Sequence, residues 1–349
     1  MDHSNVVANR RRLPFVRPAK RKLTVTAIRW QSRARVAATS LVLPLLILVC
    51  LVGDAGPQDP PPFQISVNVD LVVLNATVRG RDGRFASDLR QRNFEVYEDG
   101  VRQSIRLFRN EDIPVTVGLV VDHSGSMRRK LADVIAAART FVQSSSAEDE
   151  MFVVNFNEHV TMGLPDAIRL SNRPDELARA ISNTPAAGQT ALYDAVLVAR
   201  ERLMTGSREK KVLIVISDGA DNASAHNLAE VLKMSERSNS LVYTIGIFDE
   251  QDPDSNPSVL KRLAHATGGE AYFPRQLSEV VAICEGIARE IRHQYTLGYV
   301  SSNASAKPGA YRVIRVAARA EGKGKLTVRT RSGYIAGGES RLVKDGGAK

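Results

Sequence analysis

The chain has 349 residues, 43% hydrophobic and 25% charged, which leaves room for two or three domains and excludes wholesale disorder. Its net charge of +10 invites a nucleic-acid reading. The excess is local, however: residues 1–36 hold ten Lys and Arg against Asp2 alone, which accounts for +9 of it. The remainder is nearly neutral, and few aromatics interleave the basic tail, so nucleic acid is disfavoured as a partner.

Residues 36–52 (VAATSLVLPLLILVCLV) are apolar and uncharged. A run of this length suits either a signal-peptide core or a short membrane anchor, and Pro44 argues against a buried core helix. The small residues Gly53, Asp54 and Ala55 follow, then a Pro-rich linker to residue 62. The basic tail would stay in the cytoplasm by the positive-inside rule, with everything after Pro62 outside it. The expected localisation is therefore periplasmic or extracellular, or anchored in the cytoplasmic membrane with the domains outside. Cys50 and Cys284 are far apart and form no disulfide framework, and Cys284 reads as a buried small hydrophobe.

Residues 63–112 read as β structure. Residues 65–69 alternate, 71–78 form a second apolar run, and Arg81-Asp82-Gly83-Arg84 and Glu98-Asp99-Gly100 are hairpin signals before a strand at 103–108. Fifty residues make a thin core, so these strands are expected to borrow partners from elsewhere.

From residue 113 to 293 strands and helices alternate. Residues 115–121 are an unbroken, mostly β-branched run, which is the mark of a strand buried on both faces. Helices are predicted at 130–142, 174–181, 190–204, 228–238, 259–267 and 277–292. Strands are predicted at 151–156, 159–162, 211–216, 241–247 and 270–273. This order implies βαβ units: a doubly wound, mostly parallel α/β sheet with helices on both faces. After His293 the text returns to β at 294–300, 311–320 and 325–335, and residues 338–349 form a tail. These last strands are expected to pack with 63–112 as a small β-sandwich-like domain flanking the α/β domain.

Three loops leave the carboxyl ends of strands, where open α/β sheets collect ligands. The first holds Asp122, Ser124 and Ser126. The second is Gly188-Gln189-Thr190, with Thr190 at the start of a helix. The third is Ser217-Asp218-Gly219. Two carboxylates and three hydroxyls are hard oxygen donors suited to Mg²⁺, or to Mn²⁺ or Ca²⁺. The competing explanation is that they merely cap turns and helices. Asp194 and Asp221 near the same edge fit a supporting or surface role. The remaining histidines show no zinc-ligand spacing.

Asp122-x-Ser124-x-Ser126 after a buried strand, Gly-x-Thr190 before a helix and Ser217-Asp218-Gly219 after the next buried strand resemble the von Willebrand factor type A domain over about residues 114–292. The surrounding segments Asn93-Phe94-Glu95-Val96-Tyr97-Glu98-Asp99-Gly100 and Tyr295-Thr296-Leu297-Gly298-Tyr299 resemble those of exported acidobacterial proteins carrying this domain. The resemblance implies a metal-ion-dependent adhesion site. Ser124, Ser126 and Thr190 would bind the ion by hydroxyl and Asp122 and Asp218 directly or through water, with a protein partner donating a carboxylate to the metal. Gln189 departs from the family, where a second glycine is frequent. The implied function is a bacterial adhesion or assembly module rather than an enzyme. Two alternatives stand beside it: a structural envelope protein with a vestigial metal site, and a metal-assisted hydrolase. A serine-hydrolase elbow is excluded, because Asp122 and Ser126 occupy its glycine positions.

Overall fold

β-Branched runs dictate the centre of the molecule. The computed structural model describes residues 71–248, 254–303, 307 and 309–337. The basic tail, the apolar run at 36–52, Cys50 and the alternating residues 65–69 lie outside them. Strand β5 (Val115–Asp122) is buried along its whole length. It lies between β6 (Glu150–Phe156) and β8 (Lys210–Ser217), parallel to both. The sheet continues through β9 (Ser240–Gly246) to β10 (Ala271–Tyr272), and on the other side ends in the antiparallel edge strand β7 (Val160–Met162). Gly118 sits mid-strand in β5, where an added Cβ would come within 2.4 Å of Phe152 and 2.6 Å of Leu213. The sheet closes over that position only because no side chain is there.

Two helix layers cover the sheet. Helix α1 (Leu131–Gln143) packs on α2 (Pro174–Ser182) and α6 (Glu279–Arg292). The other group is α3 (Leu192–Met204), which crosses β5, with α4 (Leu228–Arg237) and α5 (Pro257–Thr267). Each start has a local cause. Proline opens α2 and α5. Asn227 and Glu230 form a reciprocal capping box at α4, with N–H···O distances of 3.0 and 3.1 Å. Gly268, at φ 85°, ends α5 in the left-handed region.

The remaining strands form two antiparallel sheets. One has the order β13-β1-β11-β4 and the other β14-β12-β2-β3, from β1 (Leu71–Arg79), β2 (Phe94–Glu98), β3 (Val101–Gln103), β4 (Ile105–Arg109), β11 (Tyr295–Val300), β12 (Tyr311–Ala318), β13 (Thr327–Arg329) and β14 (Gly333–Ile335). Every long ladder joins the two ends of the chain: Leu71 lies opposite Val300, and Phe94 opposite Ala318. Their shared core includes Leu74, Val96, Tyr295, Leu297, Tyr299 and Ile314. The flanking sandwich is thus built from N- and C-terminal strands, as the sequence implies.

Local differences have physical reasons. The predicted strand at 103–108 breaks at Ser104, because β3 and β4 belong to different sheets. The predicted strand at 325–335 divides for the same reason, and the buried Arg331 lies in the crossing. Asp99 and Gly100 form the expected hairpin turn with φ of 48° and 82°. The turn at 80–84 returns only to a single bridge between Arg79 and Phe85.

The sandwich and the α/β layer share a buried polar seam. The Glu290 carboxylate of α6 is fully buried and accepts from Tyr243 Oη at 2.7 Å, Arg79 Nη2 at 2.9 Å and Thr77 Oγ1 at 3.2 Å, and from Arg329. Gln294 Nε2 donates to Tyr243 Oη at 2.9 Å and to Thr77 Oγ1 at 3.2 Å. Arg331 donates to Ser238 O at 3.0 Å across the same seam. Among the described residues no helix is long and apolar enough to cross a membrane.

Candidate functional site: carboxylates and hydroxyls at the carboxyl edge of the sheet

The site begins where β5 ends. Asp122 is fully buried; its Oδ1 accepts the Ser124 N–H at 2.8 Å and its Oδ2 the Ser217 hydroxyl at 2.6 Å. The first contact turns the chain sharply into one 3₁₀ turn, Gly125–Met127. That turn brings Ser126 Oγ to 3.1 Å from Ser124 Oγ and lets it donate to Asp218 Oδ2 at 2.5 Å. Asp218 is fully buried at the end of β8, and its Oδ1 accepts the Ala220 N–H at 3.1 Å. Hydrogen bonds therefore run from Asp122 through Ser124 and the Ser126 hydroxyl to Asp218, while Ser217 holds Asp122 from the neighbouring strand.

Thr190 joins by its main chain. It lies two residues before α3 rather than in it, and is 3% exposed. Its N–H donates to Asn222 Oδ1 at 2.9 Å, and its carbonyl accepts from Asn222 and Ala223 N–H at 3.0 Å each. The second loop is tied to the first by Gly125 N–H on Gly188 O at 3.0 Å and Ala187 N–H on His123 O at 2.9 Å. Among the described residues no hydrogen bond links the Thr190 hydroxyl to the other four side chains.

Sequence reasoning missed three supports of these loops. Gly188 has φ 79°, and an added Cβ would come within 1.5 Å of Glu158, whose carboxylate accepts the Gln189 N–H at 2.8 Å. Asn222 holds Thr190. His123 is fully buried, its main chain joins Phe156 O (2.6 Å) to the second loop, and neither ring nitrogen has a hydrogen-bond partner among the described residues. Burial lowers its pKa. The Glu158–Gln189 contact carries no periodicity and leaves no trace in the text. Asp194 and Asp221 clamp the third loop to α3: Asp194 accepts Ala225 N–H (2.9 Å) and faces His226 Nδ1 (2.7 Å), and Asp221 accepts Tyr193 N–H (2.9 Å) and the Ser224 hydroxyl (2.6 Å).

The electrostatics are lopsided. Burial, and then the charge of Asp218, push the Asp122 carboxyl up to about 6, against hydrogen bonds from Ser124 and Ser217. Among the described residues no cation acts on it to oppose this rise. Two acids sharing one buried place, neither in an ion pair with a Lys, Arg or His among the described residues, fit a divalent metal ion. The donors are hard oxygens, as Mg²⁺ or Ca²⁺ prefers. No group of three or more His, Cys, Asp and Glu side chains gathers among the described residues, so an ion bound here would need hydroxyls as its remaining donors. Ser124 Oγ has its hydrogen bond with Ser126 and not with a histidine. Cys284, far from this edge on α6, is buried and free, with its thiol pushed up to about 12 by burial.

Residues 116–283, just under half of the chain, match the family model of the von Willebrand factor type A domain. Three solved structures are similar to this chain. A von Willebrand factor type A protein from Catenulispora acidiphila is 14% identical, covering 78% of this chain and 75% of that one, with a TM-score of 0.46. The vWF domain of the type V pili tip protein Mfa5 from Porphyromonas gingivalis is 14% identical over 52% of this chain and 95% of that one, with a TM-score of 0.43. An aerotolerance-related membrane protein from Bacteroides fragilis is 15% identical over 51% and 98%, with a TM-score of 0.42. No curated protein matches the chain.

Proposed function

We propose that this chain is an exported or membrane-anchored binding module, not a catalyst, which engages an acidic residue of a protein partner through a divalent cation. Asp122, Ser124, Ser126, Thr190 and Asp218 would hold the ion, Mg²⁺ or a similar one, which supplies an electrophilic centre for the partner's carboxylate. The observation that carries this reading is the pair of fully buried carboxylates, held by hydroxyls and, among the described residues, in no ion pair with a cation. The match of residues 116–283 to the von Willebrand factor type A model supports it, since such domains commonly mediate protein–protein contacts. The apolar run at residues 36–52 supports the placement outside the cytoplasm.

The test is calorimetric titration of the full chain with Mg²⁺ and Mn²⁺. Wild type is expected to bind, Asp122→Ala to lose binding altogether, and Thr190→Ala to weaken it by roughly ten- to a hundredfold. Wild-type protein that takes up neither ion, with or without a carboxylate peptide, sinks the reading.

A further inference from the structure

Helix α3 starts without a cap of its own. Ala191 stands at its N-cap and makes no side-chain hydrogen bond to the helix, and alanine ranks among the poorest capping residues. Helices α4 and α5 differ: Asn227 accepts the Glu230 N–H at 3.1 Å, and Asn256 the Val259 N–H at 3.3 Å. The first N–H groups of any helix lack a partner within it and need acceptors from elsewhere. In α3 those acceptors come from the third loop. Asp221 Oδ2 accepts the Tyr193 N–H at 2.9 Å, and Ser224 Oγ accepts the Asp194 N–H at 3.1 Å. The Ser224 hydroxyl in turn donates to Asp221 Oδ2 at 2.6 Å, which fixes the two side chains to each other. The loop thus caps a helix to which it does not belong.

Two consequences meet at Thr190. Its main chain is held by the same loop, with its N–H on Asn222 Oδ1 at 2.9 Å and its carbonyl accepting from Asn222 and Ala223 at 3.0 Å each. Its hydroxyl is released from the task that a threonine at a helix start commonly performs, because the N–H groups of Tyr193 and Asp194 are already taken. Asp221 itself is occupied by Tyr193 and Ser224. Among the described residues it forms no hydrogen bond with Asp122, Ser124, Ser126 or Asp218.

We propose that Asp221 is a positioning residue of the ion site. By capping α3 from the third loop it leaves the Thr190 hydroxyl free for a divalent ion. With Asn222 it also sets that hydroxyl and the Asp218 carboxylate in one rigid piece. The inference rests on the divalent-ion reading above. Without the Asp221 carboxylate the first turn of α3 lacks an acceptor. The Thr190 hydroxyl, three residues before Tyr193, stands at the spacing of a cap and is drawn to the helix instead of the ion.

The experiment measures Mn²⁺ affinity of the full chain in mild detergent by calorimetry. It compares wild type, Asp221→Ala and Asp221→Asn, each with Thr190 and with Thr190→Ala. Asparagine caps helices about as well as aspartate but carries no charge, so it separates capping from electrostatics. Asp221→Ala is expected to weaken binding roughly tenfold, and Asp221→Asn to stay within about threefold of wild type. In the Thr190→Ala background Asp221→Ala is expected to add nothing, since the two act as one unit. A second arm needs no metal: in EDTA, amide hydrogen exchange across residues 190–194 is expected to quicken in Asp221→Ala and to match wild type in Asp221→Asn. Circular dichroism checks the fold of each variant, and if Asp221→Ala does not fold, Asn222→Ala takes its place in the same cycle. Asp221→Ala that binds as wild type does, Asp221→Asn as weak as Asp221→Ala, or losses that add to that of Thr190→Ala overturn this inference alone. Wild type that binds no Mn²⁺ removes the divalent-ion reading and this inference with it.

Discussion

Two buried acidic centres in this molecule are built to opposite ends. At the seam, Glu290 is surrounded by Arg79, Arg329, Tyr243 and Thr77, all from its own chain. At the carboxyl edge of the sheet, Asp122 and Asp218 are equally buried, yet their partners are only hydroxyls and main-chain N–H groups. A buried charge that its own chain neutralises fastens two layers together. A buried pair with no ion-pair partner among the described residues would be stabilised by a bound cation. Burial alone therefore does not separate scaffold from site. The sign of the neighbours does.

The comparison breaks most clearly at the seam. Glu290→Ala strands two arginines against the α/β layer, and is expected to lower unfolding free energy in urea by about 3–5 kcal/mol. If Asp122→Ala destabilises the ion-free chain as much, the contrast between the two centres fails. Somewhat smaller is the effect of the ion itself: Mg²⁺ at about a hundred times its dissociation constant should add about 2.7 kcal/mol. That gain is expected to vanish in EDTA and in Asp122→Ala, and to persist when Glu290 is altered in a variant that still folds. Thermal unfolding with and without chelator measures it.

The smallest effect sharpens the contrast from the cationic side. Lys210 is buried at the start of β8, donates to Ile291 O at 2.7 Å, and is pushed down to about 8 by burial and then by Arg292. The unfolded chain holds that proton up to about 10.4. Between these values the unfolded state binds more protons, so stability rises with pH. Urea midpoints at pH 8 and pH 10 should differ by on the order of 1 kcal/mol more in wild type than in Lys210→Met.

The parts legible in the sequence are those whose cause is local. The run at 115–121 fixes a doubly buried strand, and the Asp-x-Ser-x-Ser, Thr190 and Ser-Asp-Gly segments fall at loop ends because strands and helices alternate so regularly. Asn222, Glu158 and His123 were illegible because their role is to hold another loop, a relation with no spacing of its own. Glu290 reads as one more charged residue of an amphipathic helix, since Arg79 and Arg329 come from strands at opposite ends of the chain. The division of residues 325–335 was hidden for a similar reason. Nothing in their alternation announces that the two halves serve different sheets.

The pairing of Leu71 with Val300 and of Phe94 with Ala318 sets a timetable for synthesis. At about 5–20 residues per second, the first strands wait on the order of tens of seconds for their partners to leave the ribosome. The intervening strands and helices, with their parallel sheet complete in themselves, are free to fold first. Until then β1 and β2 offer bare edges to any other chain. A truncation that removes β11–β14 would therefore leave the opening strands without a sheet to join.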